Sequence, residues 1–285
     1  MSISADREAI ADRSNPIGLQ GIEFVEYATA RPQALGQALE LMGFRPIARH
    51  RSREVLLYRQ GDMNVIVNAH AAALAGDGAP WIAAVALRVR DAAEAHRRTI
   101  ALGAWEVPAQ VAPMELHIPA IHGVGASRIY FVDRHRDFSI YDVDFIPIPG
   151  VEPRPPALCG LRWFGIVQYI GVERLADWCE FYAELLGMRL LPEERHFGVL
   201  PRGRVLQSPC ASFYLQLIEP ERADSDGDER LQRVALGTAD VSAAVADLRA
   251  RGVAFVESDG VRSSARGALT ESWLDGLSFE LVQGD

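Results

Sequence analysis

The sequence has few cysteines, no apolar core at its N-terminus and less positive than negative charge, and each shortage excludes a class of protein. The cysteines, Cys159, Cys179 and Cys210, are odd in number and form no CxxC pair. This pattern excludes a disulfide framework and a thiolate zinc site, and it is typical of small buried thiols in a reducing compartment.

The charge balance indicates what the protein does not bind. The chain has 29 Lys plus Arg against 38 Asp plus Glu, a net charge of −9, which would repel a phosphate backbone. Hydrophobic residues make up 49% and charged residues 24%, as in ordinary globular proteins, so neither nucleic acid nor a membrane is expected as a partner. Residues 1–15 are polar and lack the apolar core of a signal peptide, which predicts a cytoplasmic protein.

What the sequence does contain is an internal repeat. An apolar-alternating segment begins at Gly21 and leads through an apolar-periodic helix to Gly43, and a similar course runs from Gly165 to Gly187. Both pairs of glycines are 144 residues apart. The two halves of the chain are therefore predicted to share one architecture.

A second pair of segments supports the repeat. VALRVRDAAEAHRRTIALGA and VALGTADVSAAVADLRARGV begin 149 residues apart, and each predicts a strand, a helix and another strand. Asp91 and Asp240 are suited to helix N-caps, and Gly103 and Gly252 to the left-handed position that follows a helix.

The repeat predicts an α+β fold made of tandem βαβββ modules that form two half-barrel domains. The predicted divisions are an N-terminal tail over 1–17, a first domain over 18–150, a proline-rich linker over 151–159 and a second domain over 160–285. Each half-barrel sheet would curve around a concave face, where a ligand or metal is expected.

Long stretches of the first half resemble the 4-hydroxyphenylpyruvate dioxygenase family of the vicinal oxygen chelate (glyoxalase-fold) superfamily. They are GIEFVEYA from Gly21, RHRSREVLLYRQGDMNVIVN from Arg49, PMELHIPAIHGVG from Pro113 and SIYDVDF from Ser139. The second half carries the shorter WCEFYAELLGM from Trp178, LQRVALGTADV from Leu231 and LSFELVQ from Leu277. The resemblance implies that the first domain is structural and mediates homo-oligomer contacts, and that chemistry belongs to the second.

Members of this family hold Fe(II) with two histidines and one carboxylate, which leaves open positions for a 2-oxo acid and O₂. The resemblance places the carboxylate at Glu280 and the second histidine at Arg233. The repeat offset of 144 places the first histidine at Gln168, and a shifted gap would place it at Val167. A guanidinium has no lone pair and stays protonated, so these degenerate positions predict no metal and no other cofactor.

The sequence also ends at Asp285, five residues after Glu280, whereas the resemblance implies a C-terminal helix that covers the pocket. The leading hypothesis is an iron-free pocket that binds a small aromatic or 2-oxo acid, in a metal-independent enzyme or a binding protein. Arg233 would anchor the carboxylate, Glu280 would orient Arg233 or act as a base, and Gln168 would supply a neutral hydrogen bond. His196, between strands of the second half, could also reach the ligand.

Two alternatives stay open at this stage. One is a working Fe(II)-dependent dioxygenase with rearranged ligands, such as His196. The other is a non-catalytic oligomeric or interaction protein, in which an Arg233–Glu280 ion pair fills the defunct site. His117 and His122, five residues apart, could approach one ion, but their surroundings favour ordinary loop histidines.

Overall fold

We describe the fold from a computed structural model of the chain. The structure describes residues 14–69, 78–108, 116–135, 138–199, 202–219, 229–258 and 260–284. Most of the predicted tail, residues 1–13, lies outside these ranges.

The strands fall into two groups, separated by the proline-rich segment. The first group is β1 Leu19–Ala28, β2 Arg45–His50, β3 Val55–Gln60, β4 Met63–Asn68, β5 Trp81–Val89, β6 Ala120–His122, β7 Arg128–Val132 and β8 Phe145–Pro147. The second is β9 Arg162–Tyr169, β10 Arg189–Leu190, β11 Arg204–Gln207, β12 Tyr214–Ile218, β13 Arg230–Thr238, β14 Gly267–Leu269 and β15 Phe279–Gln283. The helices are α1 Pro32–Leu41, α2 Ala92–Ala101, α3 Ile140–Asp144, α4 Leu175–Leu186 and α5 Val241–Ala250.

Each group forms one sheet, and the two sheets share a plan. The first has the order β6-β7-β5-β1-β4-β3-β2-β8, and the second has the order β10-β11-β12-β9-β13-β15-β14. In each sheet an antiparallel pair, β1 with β5 or β9 with β13, lies at the centre. Each central strand then has a parallel partner on its other side, β4 and β7 in the first sheet and β12 and β15 in the second. The predicted tandem fold is confirmed.

The helices α2 and α5 begin and end at the capping residues that the sequence predicts. The carboxylates of Asp91 and Asp240 accept the backbone N–H groups of Glu94 and Ala243, each at 2.9 Å, at the N-termini of α2 and α5. Gly103 and Gly252 follow these helices with φ of +95° and +96°, in the left-handed region predicted for them. Within the described ranges, no helix is long and apolar enough to cross a membrane.

The two faces of each sheet have different environments. One large buried cluster joins the helices to the sheets of both domains, and it includes Leu39 and Val85 of the first domain and Ile166 and Leu248 of the second. The concave faces carry separate clusters. Among the described residues, the first domain's cluster contains eleven buried residues, including Phe24, and the second domain's contains Phe164, Ala235 and Val282. The concave faces are therefore where functional side chains can lie apart from the main core.

Candidate functional site

The centre of the second domain's concave face is formed by β9, β13 and β15. Arg233 on β13 pairs with Val167 on β9, and Ala235, two residues further along β13, pairs with Glu280 on β15. Directly paired residues, and residues two apart on one strand, share a face of the sheet. Val167, Arg233 and Glu280 are therefore brought together on the same face.

Arg233 and Glu280 form the predicted contact. Arg233 Nε donates to Glu280 Oε2 at 2.9 Å, and both side chains are only 3% exposed. The other carboxylate oxygen, Oε1, accepts the backbone N–H of Val199 at 2.8 Å. Arg233 Nη2 is buried and has no hydrogen-bond partner in the part of the chain that the structure describes. The carboxylate is thus used on both oxygens, while the guanidinium keeps one unused donor group.

Gln168 does not join this pair, which corrects its predicted place in the site. It is fully buried, and its Oε1 accepts the hydroxyl of Tyr182 on α4 at 2.6 Å. Burial raises the pKa of Tyr182, so this hydroxyl stays a donor. Because successive residues of a strand point to opposite faces, Gln168 faces the helix while Val167 faces Arg233.

The error arose from the repeat offset. In the structure, Glu26 pairs with Ala84 and Val167 pairs with Arg233, so β1 and β9 correspond at an offset of 141 residues, not 144. The 149-residue offset of the second pair of segments does hold, because the N-caps Asp91 and Asp240 are 149 residues apart, as are the first residues of α2 and α5. The two offsets differ by an odd number of residues, and such a shift reverses the face of every side chain, so the 144-residue offset predicts Gln168 on the face where the structure has Val167.

A short segment of chain closes the space beside the ion pair. The ring of Phe197 packs against Phe164 and Tyr214, with centroids 5.1 and 4.5 Å away. Gly198 follows with φ of +70°, and a Cβ there would lie 1.9 Å from Glu280 Oε1. The remaining cavity, lined by Val167, Phe197 and Glu280, is about 20 Å³, which holds little more than a water molecule. Only glycine lets the backbone approach the carboxylate this closely.

His196 lies next to this segment but does not line the small cavity. Its ring is partly exposed, and Nδ1 is buried without a hydrogen-bond partner among the described residues. No hydrogen bond or ion pair joins His196 to Arg233 or Glu280 in those residues. The structure therefore does not bring His196 to the ion pair as a ligand-binding residue.

The donor set at this centre does not fit iron. Among the residues that the structure describes, Glu280 is its one anionic donor, and that carboxylate is already bound by a guanidinium and a backbone N–H. Val167 has no donor atom and Arg233 has no lone pair. Across the described ranges, no group of three or more His, Cys, Asp or Glu residues could hold a metal ion.

The first domain holds a much larger cavity than the one beside the ion pair, whereas the sequence predicts the pocket in the second domain. About 230 Å³ lies over the concave face of the first sheet, with Glu26, Asn68, Arg128 and Tyr130 among its lining residues. His117 also lines it and is exposed, whereas His122, at the end of β6, does not. The sequence analysis did not predict this site. Glu26, a charged residue within the apolar strand GIEFVEYA, could have indicated it.

Comparisons with known proteins show which proteins the chain is similar to in sequence and in fold. Residues 13–146 match the family described as "Hydroxyphenylpyruvate dioxygenase, HPPD, N-terminal", and residues 163–271 match the "Glyoxalase/Bleomycin resistance protein/Dioxygenase superfamily". A mutant of 4-hydroxymandelate synthase from Streptomyces coelicolor has the same fold, with a TM-score of 0.74 over 93% of both chains at 18% identity. The class is therefore that of tandem vicinal oxygen chelate proteins.

Two relatives narrow the class to a family. A 4-hydroxyphenylpyruvate dioxygenase of Pseudomonas aeruginosa is 32% identical over 86% of this chain and 73% of its own. Another, from Pseudomonas sp. (strain P.J. 874), is 39% identical over 65% of this chain and 52% of its own, so that match spans about half of the relative. The chain belongs to the 4-hydroxyphenylpyruvate dioxygenase family.

Proposed function

We propose that this chain is an iron-independent member of the family, whose second-domain centre does not carry out oxygenation. The observation that supports this is the buried Arg233–Glu280 pair, 2.9 Å between Nε and Oε2. On this proposal, the permanent positive charge of Arg233 stands where a dication would be held, and it takes up the carboxylate of Glu280.

The closed space around the pair agrees with this proposal. A 2-oxo acid that chelates a metal needs room on the concave face, and the space left beside Val167 and Glu280 is about 20 Å³. The segment Phe197–Val199 closes this space. It is held at one end by the ring contacts of Phe197 and at the other by the hydrogen bond from Val199 N–H to Glu280.

Oxygen uptake tests the proposal. Purified protein supplied with Fe(II), ascorbate and 4-hydroxyphenylpyruvate is expected to consume oxygen no faster than the same mixture without protein. Glu280→Gln is the matched control, because it removes the last anionic donor without changing the shape of the site. Uptake by the wild type that disappears in Glu280→Gln would refute the proposal.

A second candidate function is binding of a small aromatic or 2-oxo acid at Arg233, and the unused Nη2 of Arg233 favours it. The ligand's carboxylate would replace Glu280 as the partner of the guanidinium, and the Phe197–Val199 segment would withdraw to admit the ring. Calorimetry with phenylpyruvate tests this. Glu280→Gln should tighten binding at this site by freeing the guanidinium, and Arg233→Gln should remove the binding that this site contributes. Equal affinity in both variants would exclude Arg233 as the anchor.

A further inference from the structure

The cavity of the first domain lies over β1, β4, β5 and β7, at the place that corresponds to the ion pair of the second domain. Glu26 occupies the position equivalent to Val167, since each pairs with corresponding residues of β5 and β13, Ala84 and Arg233. The position of Arg233 is thus taken by a small alanine, and the first domain keeps an open space of about 230 Å³ where the second is filled.

The walls of this cavity suit a ring. Phe24 and Tyr130 lie on the sheet with centroids 6.0 Å apart, and Trp81 and Phe145 also line the space. Sites for drug-sized ligands are roughly 300–1,000 Å³ and are lined mainly by apolar and aromatic side chains. A cavity of about 230 Å³ therefore suits a smaller molecule with a single ring.

The polar groups converge at one part of the sheet. Asn68 Nδ2 donates to Glu26 Oε1 at 2.7 Å, and Arg128 Nη1 donates to the Tyr130 hydroxyl at 3.4 Å. Burial raises the pKa of Glu26, although the Asn68 hydrogen bond and the charges of Arg128 and Arg53 oppose the shift. The two arginines are therefore close enough to Glu26 to act on its charge, and that carboxylate is poorly solvated.

The charge arrangement favours an anionic ligand. Arg128 is half-buried on β7 and Arg53 is exposed at the rim, so together they present positive charge from the floor to the mouth of the cavity. Asp144, the other acidic lining residue, already accepts the backbone N–H of Leu116 at 3.1 Å. Glu26 is then the group that competes most directly with a ligand carboxylate for Arg128.

We propose that the first domain binds a small monocarboxylic acid with one ring, whose carboxylate contacts Arg128 and whose ring lies between Phe24, Trp81 and Phe145. Arg53, at the mouth of the cavity, strengthens the electrostatic attraction of the ligand's carboxylate. Planar guanidinium is well suited to carboxylate, and aromatic walls supply the apolar contact that orients the ring. The site is separate from Arg233, and it does not depend on the function proposed for the second domain.

Isothermal titration of the full chain with benzoate, cyclohexanecarboxylate and benzylamine tests the proposal. The two acids should bind and the amine should not. Arg128→Gln should weaken benzoate binding by about tenfold or more, the usual effect of losing a charged hydrogen bond. Glu26→Gln should tighten it, because the competing charge is removed while an oxygen remains to accept from Asn68.

The controls separate a local effect from unfolding and from the second domain. Arg97→Gln, on the exposed face of α2, should leave benzoate affinity unchanged, as should Arg233→Gln if that variant melts as a folded protein. Opposite effects of Glu26→Gln and Arg128→Gln cannot come from a general loss of folding. Binding of benzylamine in preference to benzoate, absence of binding by either acid at 10 mM, or equal affinity in Arg128→Gln and wild type would each overturn the proposal.

Discussion

At the residue scale, the Arg233–Glu280 pair is a strong determinant of stability because both charges are buried. Removing one partner of such a pair leaves the other charge without compensation, which typically costs about 3–5 kcal/mol. Arg233→Ala is therefore expected to lower the free energy of unfolding by about that amount. Urea unfolding of the wild type, Arg233→Ala and the double variant Arg233→Met with Glu280→Gln measures it.

The double variant should recover much of the loss, since no unpaired charge remains in it. An Arg233→Ala protein as stable as the wild type would mean that the guanidinium is solvated and the second-domain centre is open.

Gly198 provides an independent test of the closed segment. A methyl group at this position would meet Glu280 Oε1 at 1.9 Å, on a backbone with φ of +70°. Gly198→Ala is expected to destabilise the protein by more than about 1 kcal/mol, because both strain and displacement of the carboxylate contribute. Gly150→Ala is the matched control, since its φ of +76° is also left-handed but nothing lies within 4 Å of its added methyl group. Equal melting temperatures for the two variants would contradict the close approach of Gly198 to Glu280.

Glu26 gives a pH-dependent prediction. Its pKa is raised in the folded protein, chiefly by burial, so ionisation at neutral pH disfavours the folded state. Glu26→Gln removes that penalty and should raise the melting temperature at pH 7. The gain should shrink as the pH falls through the raised pKa, because the wild-type carboxyl then becomes neutral as well. Melts from pH 4 to 8 check this, and a gain that grows towards acid pH would show the opposite sign of shift.

At the element scale, helix ends were predictable from the sequence and strand register was not. Asp91 with Gly103 and Asp240 with Gly252 bound their helices as predicted, because capping depends on local backbone geometry. The correspondence of β1 with β9 depends on long-range pairing, which includes register shifts between Ile22 and Phe24 and between Ala235 and Leu236. Sequence spacing alone could not locate those irregularities.

The same dependence on strand register limited how much of the candidate site could be predicted from the sequence. Arg233 and Glu280 could be placed because each lies within a motif of the family, whereas the first ligand position required the register of β9. The closing segment could not be foreseen either, since Phe197 and Val199 reach the site through a loop whose course no periodic pattern predicts.

At the scale of the whole molecule, self-association through residues 18–150 stays a prediction. Among the described residues of the first domain, three large apolar side chains are markedly exposed: Leu102 at 44%, Trp105 at 79% and Phe138 at 59%. Such side chains are enriched at contacts between protein copies. Light scattering at micromolar concentration is expected to show an oligomer that Trp105→Glu weakens, with the surface substitution Arg189→Gln as a control. A monomeric wild type would exclude this assembly.

The difference in open space between the two concave faces is also a property of the whole molecule. The two domains share one plan, but side chains at equivalent positions have filled the second concave face and left the first open. The volume of a cavity depends on every side chain that lines the concave face, so the internal repeat of the sequence could not predict it.

The central claim is that the second-domain centre holds a buried ion pair in place of iron. The most direct measurement is the iron content of the chain after anaerobic loading with Fe(II) and desalting. Wild type is expected to retain far less than one iron per chain, and Glu280→Gln to retain the same small amount. One tightly held iron per wild-type chain, lost in Glu280→Gln, would contradict the claim.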